Sequence, residues 1–225
     1  MRQLIIDTET SGLDFDKDRI IEIGCLELIN GVFTGNKFHQ YYKPDGVAIS
    51  SESEQIHGLS NEFLSQFPTF ENEIEKFMTF VDESQLIIHN AQFDITMINN
   101  ALKRSRITQI KTDSNICTLE IAKKKFPGSK NNLNALCRRF GISLESREKH
   151  GALTDSFLLL QVYNELLGGN QQTLSLKLES NRKQLKRSLN RKNNKIVYAK
   201  LSNDEDKSHT EMLKSLNNNI WQNSK

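Results

Sequence analysis

Along the chain the spacing of hydrophobic positions changes several times, and each change predicts an element. "QLIID" near the start is a short apolar run ending in an acid, which reads as a strand. "RIIEIGCLELI" and "NKFHQYYKP" follow as alternating strands, the first β-branched and the second aromatic-rich, with Pro44 as a stop. Asn30-Gly31 between them is a hairpin-type turn signal. The spacing then lengthens to three and four at Phe70, Ile74, Phe77, Met78 and Val81, which predicts a helix over 68–81. "QLIIHN" is again a short buried strand, and Ile95, Ile98 and Leu102 place a helix on "FDITMINNALKRS". "TDSNICT" predicts a brief strand, "LEIAKKKF" a helix stopped by Pro127-Gly128, and "NLNALCRRFGI" a helix ended by Gly141. A long last helix opens in "KHGALTDSFLL" and ends at Gly168-Gly169. Antiparallel strands first, then strand–helix alternation, predict an α/β domain: a mixed sheet with helices packed on it.

After Gly169 the pattern dissolves. "NQQTLSLKLESNRKQLKRSLNRKNNK" has no Gly, Pro or aromatic residue and few apolar anchors, which predicts a flexible basic linker over 169–195. Order signals return in 196–225, where Ile196-Val197-Tyr198 are strand-like and Ser202 with Glu205 fits a capping box. A piece of that size buries little core by itself and needs loose attachment or a partner.

Charge sharpens this division. The 225 residues carry a net charge of +2. Residues 1–168 hold 18 Lys and Arg against 23 Asp and Glu, and 169–225 hold 12 against 5, so the front is acidic and the rear basic. A basic tail suits nucleic acid or an acidic protein face, and it equally suits a solvated, disordered segment. No apolar run approaches the roughly 20 residues of a membrane span. "MRQLIIDTET" lacks the apolar core of a secretory leader. Three scattered cysteines, Cys25, Cys117 and Cys137, form no zinc pattern and suit a reducing cytoplasm.

The candidate chemistry lies in the acids. Asp7 and Glu9 are two apart in "IIDTET", and alternation in a strand puts them on one face. Two carboxylates there repel unless a cation joins them, and hard oxygen ligands suit Mg²⁺ or Mn²⁺. A strand end running into a polar loop explains the same pair without any metal. Asp94, after the strand "QLIIHN", and Asp155, in the last helix, each stand in a first helical turn, where an acid is commonly only a dipole partner. Taken together they point further, because the carboxyl ends of parallel strands line one crevice. Four acids in one crevice match a two-metal site for phosphoryl transfer, with His150 as the base for water. His150 and Asp155 are five apart, a poor spacing for one helix face, so His150 belongs on the loop before the helix.

These motifs resemble those of the DnaQ-like, or DEDDh, 3′–5′ exonucleases. D-x-E stands in "DTETSGL" from Asp7, the second motif in "HNAQFD" from His89, and H-x-x-x-x-D in "HGALTD" from His150, all within residues 1–168. Within that family the chain is most similar to the epsilon proofreading subunits of bacterial DNA polymerase III. The resemblance implies an RNase H-like fold, a five-stranded mixed sheet of order 3-2-1-4-5 flanked by helices. It implies release of 5′-monophosphates from DNA 3′ ends with two divalent ions, Mg²⁺ or Mn²⁺, in the bacterial cytoplasm. Asp7, Glu9 and Asp155 would hold one ion, Asp7 would bridge to the second, and Asp94 would support that second site through water. His150 would be the general base. Thr8 and Thr10 would meet the terminal nucleotide by backbone or hydroxyl, and Ile56, His57, Asn90 and Phe93 would border it.

"QQTLSL" resembles the peptide by which bacterial replication proteins bind the sliding clamp, with Gln171, Leu174 and Leu176 as anchors. Residues 196–225, with Trp221, resemble the segment that binds the polymerase alpha subunit. A free-standing enzyme like ribonuclease T or oligoribonuclease is the alternative, but those lack such a tail. A scaffold without catalysis would not need the acids intact.

Overall fold

The computed structural model describes residues 1–111, 115–145, 149–169 and 202–215. The chain divides into two units, Met1–Thr173 and Leu174–Lys225. In the first, three strands come first: β1 (Arg2–Thr10), β2 (Ile20–Ile29) and β3 (Val32–Tyr41). Three helices follow, α1 (Ser51–His57), α2 (Asn61–Leu64) and α3 (Phe70–Val81). Then come β4 (Gln85–Ile88), α4 (Ala91–Arg104), β5 (Ile116–Cys117), α5 (Thr118–Lys125), α6 (Leu133–Phe140) and α7 (Ala152–Leu167). The sheet order is β3-β2-β1-β4-β5, as the family resemblance implies. β1 pairs antiparallel with β2 and parallel with β4, which pairs parallel with β5.

Alternation along β1 divides the core into two layers. Leu4 and Ile6 join Phe70, Ile74, Phe77, Ile95 and Ile98 under α3 and α4. Ile5, between them, joins Leu26, Leu136, Leu159 and Val162 under α6 and α7. The same alternation carries on past the apolar run. Asp7 and Glu9 therefore fall on the α7 side, and Thr8 falls on the α4 side. This parity places the site.

Helices α1 and α2 occupy a stretch with no legible periodicity, and the sequence reading has no element there. Their basis is capping: Ser50 accepts from the Ser53 amide, Ser60 accepts from the Phe63 amide, and Gly58 closes α1 at φ 75°. Only Ser53 and His57 of α1 are buried, too few to mark a face. The strand expected in "TDSNICT" is reduced to Ile116–Cys117 among the described residues.

Of the second unit, α8 (Asn203–Ser215) is described. Its start is a reciprocal box, in which Ser202 donates through its amide to Glu205 Oε2 at 2.9 Å and the Glu205 amide donates to Ser202 Oγ at 3.3 Å. Gln171, Leu174 and Leu176, the strand-like Ile196-Val197-Tyr198, and Trp221 lie outside the described residues. Among the described residues no helix is long and apolar enough to cross a membrane.

Candidate active site

β1 and β4 run parallel, and the acids gather where β4 ends at Ile88 and β1 continues past it to Thr10. Asp7 faces Gly24 across the β1–β2 ladder, and Glu9 faces Glu22. Gly24 explains how the last helix reaches them. A Cβ at Gly24 would stand 2.4 Å from the Ala152 carbonyl carbon and the Leu153 nitrogen, so the first turn of α7 lies directly on β2 there. Ser156 Oγ donates to the Gly24 carbonyl at 2.9 Å and fixes that seat. Asp155, in the same turn, is thereby brought to the face that carries Asp7 and Glu9.

His150 lies just outside α7, and its amide donates to the Ile56 carbonyl at 3.1 Å, which ties it to α1. Its Nδ1 is 3.2 Å from Asp155 Oδ2. The five-residue spacing that fails on a helix succeeds here because only Asp155 is helical. Glu9, His150 and Asp155 each bring a ligand atom within 4.8 Å of the other two. The carboxylate oxygens of Glu9 and Asp155 are hard donors, which fit a divalent ion such as Mg²⁺ or Mn²⁺.

Asp94 arrives from the opposite layer. Asn90 takes a left-handed conformation at φ 66°, which asparagine tolerates better than most residues, and turns the chain from β4 into α4. Asp94 is 4 % exposed and accepts from Thr8 Oγ1 at 2.7 Å. The parity of β1 thus has a second use: Thr8 holds Asp94 while its neighbours face Asp155.

Burial and crowding perturb these acids. Asp7 is held well above the usual carboxylate range by burial first, then by the charges of Asp94, Glu9, Asp155 and Glu22. Asp94 is pushed up to about 7 by burial, against the opposing hydrogen bonds from Thr8. The folded chain therefore binds more protons here than the unfolded chain, whose carboxyls titrate near 3.8. The stability that Asp94 contributes is full below about pH 4 and is lost as pH rises through about 7, and Asp7 shifts in the same direction. In EDTA, the thermal midpoint measured by circular dichroism is expected to fall between about pH 5 and pH 8. Added divalent ion should raise it most at the alkaline end, where the Asp94 carboxylate is ionised and free to bind.

The expected substrate neighbours surround this cluster. Ile56, on the last turn of α1, is 51 % exposed, while His57 is buried and accepts from the Leu59 amide through Nδ1. Burial lowers the His57 pKa despite nearby Glu22 and Glu54. Phe93 packs at a tilt against Phe15 with ring centroids 5.5 Å apart, and Asn90 is exposed beside it. Both threonine hydroxyls bond within the protein, Thr8 to Asp94 and Thr10 to the Gly12 carbonyl at 2.6 Å. The Thr8 backbone also bonds Asp94, and the Thr10 backbone bonds His57. Gly24, Ser156 and Glu22 shape the site from outside the three acid-bearing motifs, although Glu22 and Gly24 stand in "IIEIG", a segment that also resembles the family, and a glycine inside an alternating strand is itself a signal.

The sequence model of the exonuclease family matches residues 4–163. The DNA polymerase III subunit epsilon of Rickettsia felis is 40 % identical over 223 residues, 96 % of this chain and 97 % of that one. Its counterpart in Buchnera aphidicola subsp. Schizaphis graminum is 40 % identical over 228 residues, again covering 96 % and 97 %. Among solved structures, exonuclease X in complex with 5′ overhanging duplex DNA superposes with a TM-score of 0.56 at 25 % identity, over 73 % of this chain and 90 % of that one. The chain belongs to the 3′–5′ exonuclease family that includes the epsilon subunits of bacterial DNA polymerase III.

Proposed function

We propose that this chain is the proofreading subunit of a bacterial replicative polymerase and removes mispaired 3′-terminal nucleotides as 5′-monophosphates. The observation that carries this reading is the convergence of Asp7 and Glu9 from β1, Asp94 from α4, and His150 and Asp155 at the head of α7. Asp7, Glu9 and Asp155 would hold one divalent ion, and Asp7 with Asp94 a second, as Mg²⁺ or Mn²⁺. Bound there, such ions neutralise the scissile phosphate and favour ionisation of water.

The protein's own part is positional and protolytic. Asp155 orients the His150 imidazole through Nδ1. His150 takes a proton from the attacking water, and its 41 % exposed side chain lets it return that proton to solvent. Thr8 fixes Asp94 in one rotamer. Thr8 and Thr10, by backbone or hydroxyl, with Ile56, His57, Asn90 and Phe93, seat the terminal nucleotide.

Selection of mispaired ends needs no base reading. A paired end must fray before a single strand enters the site, and a mispaired end unstacks at lower cost. Residues 1–168 form the nuclease, 169–195 a basic linker, and 196–225 the segment that binds the polymerase alpha subunit in the cytoplasm. Gln171, Leu174 and Leu176 contact the sliding clamp. An acidic nuclease gains from such tethers because it grips DNA poorly alone.

The test offers the purified chain 3′-mispaired DNA, matched DNA and RNA with Mg²⁺. Mispaired ends are expected to be shortened first and to yield mononucleotides, with the same rates on naked DNA when residues after Gly169 are removed. Preference for RNA would overturn the proofreading assignment in favour of a free-standing ribonuclease T-like enzyme.

A further inference from the structure

Beside the site lies a buried carboxylate that the hydrolytic scheme leaves unused. Glu22 on β2 is 2 % exposed and stands opposite Glu9 in the ladder, on the same sheet face. His39 on β3 holds it, with Nε2 2.8 Å from Oε1. His39 in turn packs edge-on against Tyr41, their ring centroids 4.9 Å apart. Tyr41 is the ladder partner of Glu22, so the carboxylate is walled in on the β3 side.

A buried carboxylate needs compensation beyond one hydrogen bond. Its other side faces α7. A Cβ on Gly151 would stand 3.9 Å from both Glu22 oxygens, and Gly151 is the N-cap of α7. That cap makes no side-chain hydrogen bond to the helix. The first amides of a helix carry partial positive charge and lack intrahelical acceptors. Two residues along the same strand, Gly24 receives the next stretch of that turn. Glu22 and Gly24 together form one seat, in which the glycine supplies room and the glutamate supplies charge.

We propose that Glu22 is a positioning residue for the exonuclease reaction: fixed by His39, its carboxylate is the negative partner of the α7 N-terminus and sets where His150 and Asp155 stand relative to Asp7 and Glu9. The proposal rests on the assignment of those four residues to hydrolysis. Glu22 acts through the helix, and its effect is on the rate of the assembled site rather than on capture of DNA.

Glu22→Gln keeps the volume and an acceptor for His39 while removing the charge, and Glu22→Asp keeps the charge with a shorter reach. In the full chain without metal, Glu22→Gln is expected to move the amide NMR resonances of residues 151–155. With Mg²⁺ and single-stranded DNA, kcat per folded molecule should fall about tenfold while KM stays within about twofold, and Glu22→Asp should retain more of kcat. Parental kcat together with unmoved amides would overturn the proposal, as would a loss that only tracks the folded fraction. Should Glu22→Gln fail to fold, Glu22→Asp decides: displaced 151–155 amides and reduced kcat at unchanged KM support the proposal, and parental kcat per folded molecule overturns it. An inactive parent protein would instead refute the hydrolytic assignment, leaving the amides to decide on Glu22.

Discussion

Replacing Asp7 by Asn is expected to abolish digestion of single-stranded DNA, by on the order of 10³-fold or more, while leaving the fold intact. Asp7 is central to the cluster, and four other carboxylates raise its pKa. Removing its charge removes a donor that both proposed ions share. The same substitution relieves repulsion that the metal-free protein must bear. Asp7→Asn should therefore melt in EDTA at or above the parental temperature at about pH 8, even though it is inactive. That combination separates a functional carboxylate from a structural one, because loss of a structural carboxylate would lower the melting temperature together with the activity. Calorimetry or circular dichroism with and without divalent ion reads both halves, and the ion-induced rise in melting temperature should shrink in the variant.

The second large effect is expected at a residue with no side chain. Gly24→Ala places a methyl 2.4 Å from backbone atoms of Ala152 and Leu153, where no rotamer change can make room. The helix must lift from β2. Overpacking of this kind costs about 1–3 kcal/mol of stability. The catalytic cost should be larger in proportion, because Asp155 and His150 ride on that turn and a displacement near 1 Å costs roughly 10²-fold in rate. The expected variant is folded, modestly destabilised and nearly inactive. Thermal denaturation together with single-turnover hydrolysis checks it. The Ser156 Oγ bond to the Gly24 carbonyl should lengthen in a crystal structure of the variant.

The strands and the motif acids were legible because both rest on short-range patterns, whereas the order of the strands followed only from the family resemblance. Period-two alternation placed Asp7 and Glu9 on one face, and the apolar run before Asp94 marked the end of a parallel strand. What alternation alone could not say was which helix covers which face. That decides that Thr8, between the two acids, bonds Asp94 from the far layer. The helices α1 and α2 escaped because caps define them rather than an apolar stripe. Glu22 escaped for the opposite reason. In "IIEIG" it occupies what looks like the polar phase of a half-exposed strand, yet it is 2 % exposed because the N-terminus of α7 and the His39 ring close over it. The His150–Asp155 pair shows how far spacing rules reach: five residues is wrong for a helix, and here the first member is not in one.

Asp7, Glu9, Asp94 and Asp155 are proposed to form one metal site. The most direct measurement is a Mn²⁺ titration, followed by electron paramagnetic resonance, on the full chain with a deoxynucleoside 5′-monophosphate present. Two ions bound per folded chain, with both weakened in Asp7→Asn, is the predicted result. Unchanged binding of Mn²⁺ in that variant, or no binding in the parent protein, would contradict it.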